Sequence, residues 1–207
     1  MAITYPLTLP SNKHPMRVTL RAVNQTAITM SPFTYKQQIH SHPGERWEAE
    51  IQLPRMMRED AEEWISFLLS LRGQEGRFLM GDPHGAIARG ALGGNPLVRG
   101  DNQIGPTVVI DGCDASVAGW VKAGDYIQFG AASTATFHKV LQDANTNEEG
   151  EVSVEIWPSL RTAPADNSSV ITASCVGNWR LNSGQQDWSV GHAALYGITF
   201  AAVESIV

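Results

Sequence analysis

Two stretches of the chain alternate strictly between apolar and polar positions. In RWEAEIQLP, Trp47, Ala49, Ile51 and Leu53 fall on one side, with Glu48, Glu50 and Gln52 on the other. In MRVTLRA, Met16, Val18, Leu20 and Ala22 oppose Arg17, Thr19 and Arg21. A period of two predicts half-buried antiparallel strands. After Pro54 the period lengthens. Met57, Ala61, Trp64, Leu68 and Leu71 recur at steps of four and three, which predicts one amphipathic helix with Gly73 placed to stop it. Glu59, Asp60, Glu62 and Glu63 crowd the first half of that helix, where carboxylates favour the helix N-terminus.

GRFLMGDP reads as a return strand, after which apolar periodicity stops and seven glycines lie between Gly81 and Gly105. A loop this long inside a compact unit marks a boundary or a functional excursion, so the segment is expected to be a linker. Beyond it PTVVIDGC, GDYIQFG, TATFHKVLQ and EVSVEIWP are short, strand-like and separated by turn residues, with DANTNEEG as a hairpin connection. About five strands over 96–178 predict a small Greek-key barrel of OB type. LYGITFAAVES then alternates again, with Tyr196, Ile198, Phe200 and Ala202 on one face, like the opening strands. The expected architecture is therefore mainly β (α+β): a β-sandwich-like domain with one helix, formed by 1–95 and 179–207 and interrupted by the inserted barrel of 96–178.

Composition narrows the functional classes. With 43% apolar and 17% charged residues over 207 positions, the chain reads as a folded, soluble protein. No run approaches the roughly 20 apolar residues of a membrane span. The opening MAITYPLTLPSNK lacks a basic start and an apolar h-region, so synthesis and folding in a cytoplasm are expected. A net charge of −6 with scattered basic residues argues against a broad nucleic-acid-binding surface. Cys113 and Cys175 are too few for a disulfide framework and are expected to be reduced thiols.

HSHPGE (His40–Glu45) poses the one question of chemistry. Two histidines one residue apart and a carboxylate suit a metal, but coordination needs a third oriented ligand, and His14, His84, His138 and His192 fall in other elements. Pro43-Gly44 instead predicts a turn between a strand ending near Ile39 and one beginning at Arg46, and this reading is preferred. There is no G-x-S-x-G element, and GALGG lacks the ending of a phosphate loop. The Arg99-Gly100-Asp101 tripeptide reads as an ordinary flexible loop. No enzyme activity and no cofactor are expected.

The order of RWEAEIQLP, the helix with EEWISFLLSLRG, the FLMGDP exit, KAGDYIQFG, the hairpin closing on VEIWPSLR, VGNWRL and the amphipathic last strand resembles the distal tail protein family of long-tailed bacteriophages, including its two-domain form with an OB-like insertion. The glycine-rich linker departs from that pattern. The resemblance implies a virion protein assembled in the bacterial host cytoplasm: six copies in a ring at the tail tip, joining the tail tube to the hub and tape-measure proteins. DNA would pass through the lumen without specific binding, and no membrane is involved. The candidate interface residues are Trp47, Glu48, Glu50, Glu59, Asp60, Glu63, Trp188 and Tyr196; a solvated face is the plain alternative for the acidic helix, and core packing for the aromatics. An alternative function is oligosaccharide binding by the barrel, with Tyr126, Phe129 and Phe137 either a stacking platform or barrel core.

Overall fold

A computed structural model describes residues 3–206. The elements are β1 (Leu7–Thr8), β2 (Arg17–Met30), β3 (Gln37–Gln52), α1 (Arg58–Ser70), β4 (Phe78–Met80), β5 (Gly94–Val98), β6 (Gly105–Cys113), β7 (Tyr126–Phe129), β8 (Thr136–Val140), β9 (Val152–Leu160), β10 (Val170–Ile171), β11 (Gly177–Leu181), β12 (Trp188–Val190) and β13 (Tyr196–Glu204). The protein is mainly β with a single α-helix, and its strands form two sheets, one of them a nearly closed barrel.

The first sheet runs β1-β4-β11-β13-β3-β2, with β12 also paired to β13. The last strand lies between β3 and β11, antiparallel to both, with Phe200 opposite Ile51 and Ala202 opposite Ala49. The alternation read in β3 and β13 is the alternation observed: Trp47, Ala49, Ile51, Ile198, Phe200 and Ala202 are all buried on one face. Helix α1 covers that face with Ala61, Trp64, Leu68 and Leu71. Trp64 packs on Phe200 at 6.2 Å between ring centroids, and Phe67 meets Phe78 edge-on at 5.6 Å. Met57, expected on the buried stripe, precedes the helix and is 59% exposed. Arg72 and Gly73 take positive φ and turn the chain out of the helix, a conformation glycine adopts without steric cost. On β2 only Val18 and Leu20 reach the core, while Met16 and Ala22 are exposed.

The second sheet runs β10-β7-β8-β9-β6-β5, and a Leu97–Ser169 bridge links its two ends. Its core is aliphatic, built on Val98, Ile110, Val154 and Ile156, with Trp120 fully buried among them. The expected linker is not a free tether. Its residues 94–98 form an edge strand of the barrel, so the expected boundary at 95/96 falls inside β5 and that at 178/179 inside β11. The preceding segment is held by the buried Asp125 carboxylate, which accepts the backbone N–H groups of Arg89 (2.8 Å), Gly90 (2.9 Å) and Lys122 (2.9 Å). Burial alone would raise the Asp125 carboxyl, but these donors and the Arg89 guanidinium outweigh it and hold it below the usual carboxylate range. The glycines here permit contact more than motion. A Cβ at Gly81 would clash with the Cys175 carbonyl, and one at Gly90 with that of Trp120.

The two sheets share a packed seam. Tyr126 and Phe137, stacked at 4.5 Å, leave the barrel strands to join the core of the first sheet, and Trp47 meets Trp157 edge-on at 4.6 Å. The Trp47 indole N–H donates to the Phe137 carbonyl (3.0 Å). Arg161 pairs with Glu204 (3.1 Å) and also donates to the Glu45 carbonyl, while the second Glu204 oxygen accepts the Trp47 backbone N–H (3.0 Å).

Candidate functional site

The expected turn at Pro43-Gly44 is not where the hairpin turns. Strand β3 runs unbroken through HSHPGE, and the reversal lies at Ser31–Lys36, closed by Ser31 N–H to Lys36 O (3.0 Å) and Tyr35 N–H to Ser31 O (2.9 Å). Pro43-Gly44 instead sits in a bulge. Val23 pairs with Arg46 and Gln25 with His42, so Asn24 alone faces the three residues Pro43, Gly44 and Glu45. A bulge tolerates proline because its residues need not donate to the ladder. The Pro-Gly signal was real, but a kink and a turn use the same residues.

That bulge divides the hairpin. On its near side Asn24 accepts the Trp157 indole N–H (2.7 Å) and the Glu45 carboxylate accepts Ser159 N–H (2.7 Å), fastening the hairpin to the barrel. On its far side residues 25–30 and 37–42 form an arm whose residues are all exposed. The arm carries Ile28 (62% exposed), Ile39 (60%), Phe33 (92%) and Tyr35 (72%). Ile28 and Ile39 are directly opposed across the ladder with nothing over them. Strand β2 pairs only with β3, so among the described residues its outer edge is an open row of backbone donors and acceptors along 14 residues.

The helix residues named from sequence lie together on an outer face: Glu59, Glu62 and Glu63 are exposed, Glu62 pairs with Arg58 (3.0 Å), and Asp60 pairs with Lys13 (3.2 Å). Glu50 pairs with Arg21 (2.7 Å) and Glu48 with Arg46 (2.6 Å) on the sheet face opposite the helix. Trp188 is 39% exposed on β12, and Tyr196 is half-buried against the core. Trp47 must be withdrawn as a surface candidate, because it is 5% exposed and its partners lie within the chain. Tyr126, Phe129 and Phe137 are equally buried, so they form core and not a stacking platform.

His40 and His42 stand on the exposed arm, and no group of three His, Cys, Asp or Glu gathers to hold a metal among the described residues. Arg99 is paired with Glu151 (2.6 Å). Both cysteines are free and buried, and burial pushes their thiols up, Cys113 to about 11 and Cys175 to about 12. Among the described residues no helix is long and apolar enough to cross a membrane. No protein-family model matches the chain, and no curated protein matches it.

Sequence reasoning missed the arm for a physical reason. The period-two pattern weakens beyond Ala22, where QTAITM and QQIHSH mix polar and apolar residues on both faces. Such a pattern reads as loop unless the long cross-strand register is known.

Proposed function

We propose that the protein is a structural subunit that assembles with copies of itself into a ring, in the manner of the bacteriophage tail-tip proteins its element order resembles. The observation that carries this reading is the uncovered arm continuing an open 14-residue sheet edge. Long exposed edges bearing apolar side chains are normally blunted in proteins that work alone, and they pair readily with another chain. The occupant proposed is a second copy. Between Gln25 and His42 the arm contains Lys36, His40 and His42 and no carboxylate, whereas the outer face of α1 presents Glu59, Glu62 and Glu63. An arm that reaches the acidic helix face of the next subunit makes a head-to-tail contact, and such contacts form a ring where the rotation between neighbours closes.

In this reading the activity is association, with the tail tube on one side and hub and tape-measure proteins on the other, and the particle tip as its location. The net charge of −6 suits a lumen through which DNA passes without being held. Light scattering combined with negative-stain imaging at high protein concentration tests the proposal. Intact protein is expected to form closed rings, six copies by analogy, and protein whose residues 25–42 are replaced by an Asn-Gly turn is expected to stay monomeric. A strict monomer in both forms at every concentration would overturn it.

A further inference from the structure

Where strand β2 meets the barrel there is an open cleft of about 360 Å³. Part of its lining is apolar: Val18, Leu20 and Ala22 from β2, with Trp47 beside them. The rest is polar, with Asp82 from the segment after β4 and Tyr126 and Lys139 from the barrel. The volume lies at the lower end of the roughly 300–1,000 Å³ common for small-molecule sites. The three polar residues form one hydrogen-bonded chain, from Lys139 through Tyr126 to Asp82.

Donors and acceptors along that chain do not balance. The Asp82 carboxylate has a donor on each oxygen: His84 N–H on Oδ1 (2.9 Å) and the Tyr126 hydroxyl on Oδ2 (3.0 Å). Burial, and after it the Asp82 charge, pushes the Tyr126 hydroxyl up, so it keeps the proton it donates. Its oxygen accepts from Lys139 Nζ (2.8 Å), which also stands over the Tyr126 ring, 4.1 Å from the centroid. These contacts fix the ammonium among the lining residues of the cleft. Lys139 makes no ion pair and no second hydrogen bond among the described residues. An ammonium carries three donors, so two are left over on a half-buried side chain. Burial lowers its pKa, with the Asp82 charge opposing, as expected of a cation short of water.

The unmet group is therefore a cation set beside apolar side chains. A ligand amine is repelled by Lys139, and the carboxylate it would seek already holds two donors. A neutral alcohol accepts a hydrogen bond from Lys139 but leaves its charge unanswered. Phosphate or acetate answers the charge but leaves Val18, Leu20 and Ala22 wet. An anion on an apolar body answers both, because it pairs with the ammonium and takes those side chains out of water. We propose that this cleft binds a small carboxylic acid with a compact apolar body, its carboxylate on Lys139 and its body against Val18, Leu20 and Ala22. The site lies within one chain and does not depend on ring assembly.

The full chain, labelled with ¹³C at lysine Cε, is titrated at neutral pH with phenylacetate and hexanoate, and with phenylethylamine, phenylethanol, acetate and phosphate as controls. NMR follows the Lys139 signal, told from those of Lys13, Lys36 and Lys122 by its loss in Lys139→Gln, and calorimetry follows the heats. A saturable shift of the Lys139 signal by phenylacetate or hexanoate is expected, with a Kd of about 1 mM or below, and the four controls are expected to bind at least about tenfold more weakly. In calorimetry Lys139→Gln is expected to weaken the binding at least about tenfold and Lys139→Arg to keep most of it. Ala22→Trp, at an exposed position, fills the cleft while leaving Lys139 in place; it is expected to abolish the shift, and it supplies the test if the Lys139 variants fail to fold. No saturable shift with either acid, equal or tighter binding of any control, or binding indifferent to both Lys139→Gln and Ala22→Trp would overturn the proposal and leave Lys139 to water alone.

Discussion

The two halves of the β2–β3 hairpin share one backbone ladder and meet different fates. From Arg17 to Val23 and from Arg46 to Gln52 the strands lie within the sheet, with Trp47, Ala49 and Ile51 under the helix and the barrel seam. From Gln25 to His42 the same strands stand free, and Ile28 and Ile39, residues of the same kind as Ile51, are about 60% exposed. The ladder across the hairpin is common to both halves, but β13 adds a second ladder to β3 only at Glu48–Gln52. The other difference is what covers the side chains, and the bulge opposite Asn24 is the hinge between the two conditions. Strand pairing defines direction and register, whereas burial supplies most of the free energy.

The largest expected break of this contrast comes from removing the cover. Trp64→Ala takes a fully buried indole from between helix and sheet and is expected to cost about 3–5 kcal/mol in urea unfolding. Phe33→Ala on the arm is expected to change stability by less than about 0.5 kcal/mol.

A pH series tests the barrel side of the seam. His138 is held neutral in the folded protein to about pH 4, whereas the unfolded chain takes up that proton near 6.5. Between those values the unfolded state binds more protons, so stability present above pH 6.5 is lost as pH falls toward 4 and changes little through this group below it. The contribution is on the order of 2–3 kcal/mol. It should be absent from a His138→Phe variant compared over the same range by calorimetry.

Arg161→Met leaves Glu204 facing the seam with one donor, the Trp47 backbone N–H. Because Arg161 is itself about a quarter exposed, the loss is expected near 1–2 kcal/mol, below that of a fully buried pair. The smallest effect sharpens the comparison most directly. In monomeric protein, amides of 25–30 and 37–42 should exchange with solvent ahead of those in 17–23 and 46–52, although both sets are ladder-bonded. Equal protection would mean that the arm is covered in solution.

Where one face of an element is buried, the chain could be read directly. The strict alternation of RWEAEIQLP and LYGITFAAVES located the second half of β3, β13 and their buried faces, and the step of four and three located α1 and most of its buried stripe. Single residues with two structural uses were ambiguous. Pro43-Gly44 makes a bulge as readily as a turn, and the glycines of 81–94 serve close packing on the barrel as readily as flexibility. YIQF is buried at all four positions because Tyr126 and Gln128 turn to the seam while Ile127 and Phe129 fill the barrel. Alternation alone offers no sign that both sides are covered.

By itself, then, the sequence determined the segments with one dry face, namely the second half of β3, β13 and α1, because that property follows from residue spacing of two or of 3.6. Only the tertiary structure decided that Phe137 and Trp47 share a seam, that Arg161 finds Glu204, and that His138 packs against the Pro158 carbonyl. These are meetings between residues up to about a hundred positions apart, and they depend on how two sheets are set against each other, which no local period encodes.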